Sequence, residues 1–252
     1  MKDKTRTNLK GLPALLFWLL VWQALARLVG LELLLPGPLT VFRRLGELAV
    51  TAEFWQSALL SLGRVALGLV WGILWGVVLA ALSCAFSWAD ALLSPAVGVV
   101  RATPVASFIL LVLLWSQRGQ VPVIIAALMV LPIVYGNVTR GIRETDPKLL
   151  ELARVYRFSR WKTIRLVVLP GVRPYFFSAV TTALGLAWKS GVAAEALCQP
   201  KLAIGSEIYY TKLNFETADL FAWTLVVILL SLGLERLVSC AVRAAEGRGQ
   251  HD

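Results

Sequence analysis

Histidine is almost missing from this chain of 252 residues: the single one, His251, stands next to the C-terminus. That leaves almost no room for imidazole-based catalysis within the fold. Cysteine is scarce as well. Cys84, Cys198 and Cys240 are far apart and make no C-x-x-C pair, so neither a metal site nor a disulfide framework is indicated. There is no G-x-S-x-G elbow and no G-x-x-x-x-G-K-[ST] loop, so the chain carries no nucleotide-binding loop of its own. Charged residues are few, 16% of the chain, and they are clumped rather than spread. No internal repeat, low-complexity tract or soluble stretch long enough to fold alone interrupts the sequence.

What remains is apolar. Hydrophobic residues make up 58% of the chain, and the mean hydropathy is +0.73. The apolar runs are continuous and do not alternate with a period of two, which identifies an all-α membrane protein rather than a barrel. In that setting the net charge of +10 reads as positive loops on the cytoplasmic side, not as a nucleic-acid surface.

The pattern predicts about six spans. A basic N-terminus with Lys2, Lys4, Arg6 and Lys10 precedes an apolar run from Leu12 to Val29. Ala24-Leu25-Ala26 resembles a signal-peptide cleavage site, but the run is long enough to be retained as a span. Residues 30–56, with Pro36-Gly37-Pro38 and a charge of −1, suit an outer loop that holds a short interfacial helix. The second span is expected over 58–86. Its Gly68, Gly72, Gly76 and Ala80 form a stripe for close helix packing, and Arg64 near its outer end is expected to snorkel toward headgroups. The third apolar region is interrupted by Pro95 and Pro104, with Arg101 between them. Arg101 and Thr103 then either line an internal passage or mark the inner end of a span. Further spans are expected over 121–138, 175–197 and 220–242. The loop between the last two carries −1. Both termini then fall inside.

The most polar stretch is Glu151 to Pro170. Asp146 before Pro147 reads as an N-cap with proline in the first turn. An amphipathic helix follows, and Ser159 caps a second short helix that runs up to Pro170. From Arg140 to Arg173 nine basic residues face three acidic ones, a net charge of +6, which places this loop in the cytoplasm.

These residues resemble the permeases of binding-protein-dependent ABC importers, whose loop reads E-A-A-x-x-x-G, nine residues, then I-x-L-P. Glu151 stands at the Glu position, Leu152 and Ala153 at the two Ala positions, and Leu169-Pro170 at the end. Arg157 departs from the Gly, Val167 from the Ile, and Leu152 is larger than Ala. Asp146-Pro147, Glu151 to Val155, Ser159-Arg160-Trp161, Leu184 to Trp188 and Val192 to Glu195 are similar to the nitrate/sulfonate/taurine-type branch.

The resemblance implies a type I importer permease fold with a cytoplasmic coupling helix. It divides the chain into a basic tail with the first span and outer loop (1–56), a permease core (57–242) and a cytoplasmic tail (243–252). It also implies a second permease copy as homodimer partner, two cytoplasmic ATPase subunits and an external solute-binding protein, in a bacterial inner membrane. Asp146, Leu150, Glu151, Ala153, Arg154, Tyr156, Arg157, Phe158 and Arg160 would form the ATPase-coupling surface. Arg101, Thr103, Lys189 and Glu195 are the candidates for the translocation pathway, for a small anion. No cofactor or metal and no catalytic residue is expected. The rival reading is a channel or ion-coupled transporter without an ATPase. It would want acidic residues inside spans and inverted repeats; only Lys189 and Glu195 stand out as deep charges.

Overall fold

The computed structural model describes residues 4–248; Lys2 and His251 lie outside them. Eleven helices occur among the described residues: α1 (Lys4–Val29), α2 (Pro38–Ala49), α3 (Ala52–Ala85), α4 (Ser87–Ala102), α5 (Val105–Trp115), α6 (Val121–Arg143), α7 (Pro147–Val155), α8 (Arg160–Thr163), α9 (Leu169–Cys198), α10 (Ile204–Leu213) and α11 (Thr217–Arg248). Four segments are long and apolar enough to cross a membrane: α3, α6, Arg160–Cys198 and the Thr217–Arg243 part of α11. The pair α4–α5, bent by 105°, makes a fifth if it is taken as one broken span, and the apolar part of α1, Pro13–Val29, is shorter than these, so the six spans expected from the sequence are four or five among the described residues.

The core is the packing of α6 between α3 and α9. Thr51 caps α3 by accepting from the Phe54 amide. One face of α3 is then buried at helical spacing, through Ser61, Val65, Gly68, Gly72, Gly76 and Ala80 to Ser83. The glycines are required. A Cβ at Gly68 would sit 2.5 Å from the Val123 carbonyl oxygen, one at Gly72 2.5 Å from Val130 Cβ, and one at Gly76 2.7 Å from Val134 Cβ. Two backbones close to this distance gain dispersion contacts along their whole length, which is how helices associate where lipid removes the hydrophobic drive.

Two boundaries differ from expectation. Pro95 does not interrupt α4; the break falls at Thr103-Pro104, where Thr103 is extended (φ −78°, ψ 132°). The proline ring pushes the preceding residue out of the helical region. Likewise Pro170 does not end a helix. A single wide turn over Ile164–Val168, in which the Leu169 amide reaches the Ile164 carbonyl, joins α8 to α9, so helical backbone runs from Arg160 to Cys198. The wide turn shifts the bonding register by one, and the proline's missing N–H falls where the ladder is already disturbed.

At the end opposite the α7–α8 loop, α2 is the short helix expected between the first two spans. Arg44 on α2 grips Asp219 on α11 with two hydrogen bonds of 2.6 Å. Thr217 donates to the Leu33 carbonyl (2.6 Å), and Trp22 stacks on Phe221 at 5.9 Å. These contacts tie α1 and α2 to the start of α11.

Candidate functional site

The basic loop is built by three local devices. Asp146 caps α7 by accepting from the Lys148 amide (2.9 Å), with Pro147 at the first helical position, and Ser159 caps α8 by accepting from the Lys162 amide (3.3 Å). Between them α7 ends in a left-handed turn. The Phe158 amide bonds to the Ala153 carbonyl (2.8 Å) and the Arg157 amide to the Arg154 carbonyl (3.0 Å), and Arg157 takes φ 52°. This is the six-to-one, five-to-two pairing that satisfies the orphan carbonyls of a helix end, and its left-handed position favours glycine. The glycine of the resembled pattern thus has a backbone role here, which Arg157 fills with strain.

The loop has an inner and an outer face. Ala153 is 3% exposed and lines a hollow with Leu150, Arg154, Phe158, Arg160 and Ile164, so its methyl packs at the floor of the loop. Leu149, Leu152, Val155 and Tyr156 point outward and are exposed. Lys162 Nζ lies 4.2 Å over the Phe158 ring. Glu151, Arg154, Arg157 and Arg160 are exposed around this apolar patch. At the loop's root, Glu144 accepts from the Tyr175 hydroxyl and from Arg140 Nε (2.8 Å). The Tyr175 bond first, and the Arg140 guanidinium next, hold the Glu144 carboxyl below the usual range.

The four residues expected along a pathway fall in three places. Arg101 donates to the Pro132 carbonyl of α6 (3.0 Å), and Thr103 donates to the Val99 carbonyl (2.8 Å), both at the broken span. Glu195 is wholly buried. It accepts from Ser61 Oγ (2.7 Å), from Arg64 Nη1 (3.1 Å) and from the Gly205 amide (3.2 Å), while Ser61 Oγ accepts from the Ile204 amide (3.0 Å). The residue before α10, Ala203, has no side chain to cap it. Glu195 and Ser61 supply that cap from other helices, with the negative charge at the positive end of the helix dipole. Arg64 therefore does not snorkel: it turns inward to Glu195 and to the Lys201 and Leu202 carbonyls (3.0 and 3.1 Å). Enclosed in this cluster, Glu195 packs the far end and does not open on the remaining candidate.

Lys189 stands apart and exposed. It lines a cleft of about 440 Å³ with Thr181, Thr182 and Gly185 of α9 and with Glu235 and Ser239 of α11. Glu235 is a member of this cleft that sequence reasoning missed. An acidic residue inside an apolar run was the signal, masked by the adjacent Arg236, which reads as the start of the basic inner tail.

The family model of the binding-protein-dependent transport system inner membrane component matches residues 68–246. The chain is 32% identical over 228 residues to the riboflavin transport system permease protein RibX of Chloroflexus aurantiacus, spanning 89% of this chain and 84% of that one. It is 30% identical over 222 residues to the putative aliphatic sulfonates transport permease protein SsuC of Bacillus subtilis, spanning 86% and 79%. A bacterial ABC transporter involved in the import of the acidic polysaccharide alginate shares the fold, with a TM-score of 0.66 at 19% identity over 96% of this chain and 98% of that one.

Proposed function

The chain belongs to the family of binding-protein-dependent transport system inner membrane components, and from that premise we propose that it lines the passage of an ATP-driven importer for a small anionic solute. As a permease it is a multi-pass membrane subunit that transports rather than catalyses, and the ATPase is a separate subunit. The α7–α8 loop lies on the cytoplasmic side, where its net charge of +6 favours retention. Both termini lie on that side too. The outward face of α7, Leu149, Leu152, Val155 and Tyr156, enters a groove on the ATPase, and Glu151, Arg154, Arg157 and Arg160 orient it. An apolar helix face with a charged rim docks in this manner. Two such loops, one from each of two identical permease copies, engage two ATPase subunits, and a binding protein delivers the solute to the opposite side.

The observation that carries this reading is the combination of a capped, outward-facing apolar helix on the most basic loop with a polar cleft inside the spans. A charge at mid-membrane is costly by about 2.5–3.5 kcal/mol unless it faces protein or water, so Lys189 belongs to a surface that water and solute reach. Names of the relatives point to sulfonates and to riboflavin as cargo of those proteins; for this chain the class is a small anion drawn by Lys189. Reconstitution with its ATPase and binding protein tests the reading. ATP-dependent uptake by a stable complex is expected, and ATP-independent flux through the permease alone would favour the channel or ion-coupled rival.

A further inference from the structure

The end of α1 farthest from the basic loop borders a polar pocket that the importer reading leaves unused. Trp22 donates its indole N–H to the Pro36 carbonyl (3.1 Å) and stacks on Phe221 of α11. This end of α1 is thereby held against the start of α2, and a cavity of about 420 Å³ lies between them. Gln23 and Arg27 line it from α1, Glu32 from the connecting turn, and Gly37 and Thr40 from the start of α2. Gly37 gives the Gln23 amide room to cross, since a Cβ there would lie 3.3 Å from Oε1 and 3.6 Å from Nε2. Arg27 and Glu32 share the cavity, yet among the described residues no ion pair within 4.0 Å joins them; the pairs that form involve other residues. Thr40 Oγ1 donates to Glu32 Oε1 (3.4 Å), so the lone pairs of Thr40 stay open to a further donor. The pocket thus offers a cation from α1, and a carboxylate and a hydroxyl acceptor from the turn and α2.

The face of α1 that ends in this pocket continues into the membrane. Leu16, Leu20, Gln23 and Arg27 fall within about 60° of one another around the helix. Leu16 and Leu20 are exposed, so the face is apolar at depth and polar at its end. The rise from Leu16 to Arg27 is about 16 Å, half of a hydrocarbon layer about 30 Å thick. The pocket therefore stands at headgroup level, over one leaflet's depth of bare apolar helix. The basic loop is at the opposite end of the molecule, so that leaflet is the outer one. A free ion would use the pocket and leave the apolar track uncovered; a lipid uses both.

We propose that the pocket and track bind one outer-leaflet phospholipid with an ethanolamine headgroup. Its phosphate meets Arg27 and Gln23, its ammonium donates to Glu32 and Thr40, and one acyl chain lies along Leu20 and Leu16. The size fits, since small-molecule sites fall at about 300–1,000 Å³. Charge-assisted bonds form at both ends of this headgroup. A glycerol headgroup brings net negative charge to Glu32 and no cation to offset it, and the quaternary nitrogen of choline has no N–H to donate. Bound there, the lipid fastens α1 to α2. The site lies away from the passage, so it stands or falls separately from the importer reading.

The test uses the permease assembled with its ATPase, stripped of phospholipid in detergent and followed by native mass spectrometry. It is titrated with dioleoyl phosphatidylethanolamine, phosphatidylcholine or phosphatidylglycerol. One ethanolamine lipid per permease copy is expected to bind on the order of tenfold more tightly than either of the others, the difference made by one charged hydrogen bond. Glu32→Gln should erase that difference, and Arg27→Gln should weaken all three lipids. Thr40→Val, which removes one acceptor and should narrow the difference, serves as the second variant should Glu32→Gln fail to assemble. Soluble glycerophosphoethanolamine, which has the headgroup and no chains, should not displace the lipid. Equal binding of the three lipids, a preference indifferent to these substitutions, or no tightly held lipid at all overturns the site. Displacement by the soluble headgroup makes it a pocket for a free phosphate ester and overturns the lipid. ATP-dependent uptake, measured separately, decides the importer reading whichever of these is found.

Discussion

Arg64 on α3 and Glu195 on α9 meet at 3.1 Å, and through the Gly205 amide on the same carboxylate they hold the N-terminus of α10. Glu195 has no exposure and Arg64 little. Removing one partner of a buried pair leaves the other unpaired, at a cost of about 3–5 kcal/mol. Glu195→Ala should therefore lower the detergent melting temperature markedly and raise hydrogen exchange at Ile204 and Gly205. Glu195→Gln, which keeps an oxygen for the amide, should lower it less. Equal melting of Glu195→Ala and the parent would show that α10 is held by other means.

Arg157 occupies a left-handed backbone position that costs an L-residue roughly 1–2 kcal/mol. Arg157→Gly should slow amide exchange at Phe158, by up to about tenfold once glycine's own entropy is set against the relief. Arg157→Val should speed it, since a β-branched side chain is worst there. The reverse order would mean that the arginine side chain, not the backbone, sets the turn.

Adjacent positions on α7 should separate folding from docking. Ala153→Asp places a carboxylate at a site with 3% exposure, an unpaired burial worth a few kcal/mol, and should loosen the loop itself. Leu152→Asp changes a side chain that is 53% exposed and should leave the permease folded while weakening capture by the ATPase. Thermal melting read beside co-purification distinguishes the two. Normal ATPase capture and uptake by a folded Leu152→Asp protein would take this face out of the coupling.

The glycine stripe predicts a graded series. Gly72→Ala must displace Val130 or the Ala127 carbonyl, which lie 2.5–2.8 Å from the new Cβ, and overpacking of this kind costs roughly 1–3 kcal/mol. Gly46→Ala on α2 meets nothing within 4 Å and should be neutral or stabilising by up to about 1 kcal/mol. A Gly72→Ala protein as stable as Gly46→Ala would contradict the close approach of α3 and α6.

Topology is read by thiol labelling in a cysteine-free background. Ser159 is exposed on the basic loop, so a cysteine there should react only from the cytoplasmic side. Ser206 would be a poor outer probe, because it is buried and donates to the Pro200 carbonyl (2.7 Å); the exposed Asn214 serves instead and should react only from outside. Labelling of position 159 by an impermeant reagent from outside would invert the orientation.

Local signals in the sequence translated directly. Asp146-Pro147 and Ser159 start helices because their caps depend on residues two or three positions away, and the stripe from Gly68 to Ala80 is buried because period and size are both visible in one helix. Signals that depend on a second helix did not translate. Arg64 looked like a snorkelling side chain because its partner, Glu195, is 131 residues further along. Glu235 was hidden because only the antiparallel placement of α9 and α11 brings it beneath Lys189. The wide turn at Ile164–Val168 could not be anticipated, because a proline is ordinarily read as a stop and the register shift that absorbs it leaves no mark in composition.

That absorbed proline has a mechanical result. Helical backbone continues through 39 residues from Arg160 to Cys198, a rod of about 58 Å at 1.5 Å per residue. One end is rooted in the loop that carries α7, and near the other Glu195 sits in the clasp of α10. A rod of that length tilted by about 5° swings its tip by about 5 Å with no helix unwound. A small rotation imposed at the basic loop would therefore reach the opposite end of the helix as a displacement comparable to one helical turn, a lever arm that needs no chain of side-chain rearrangements.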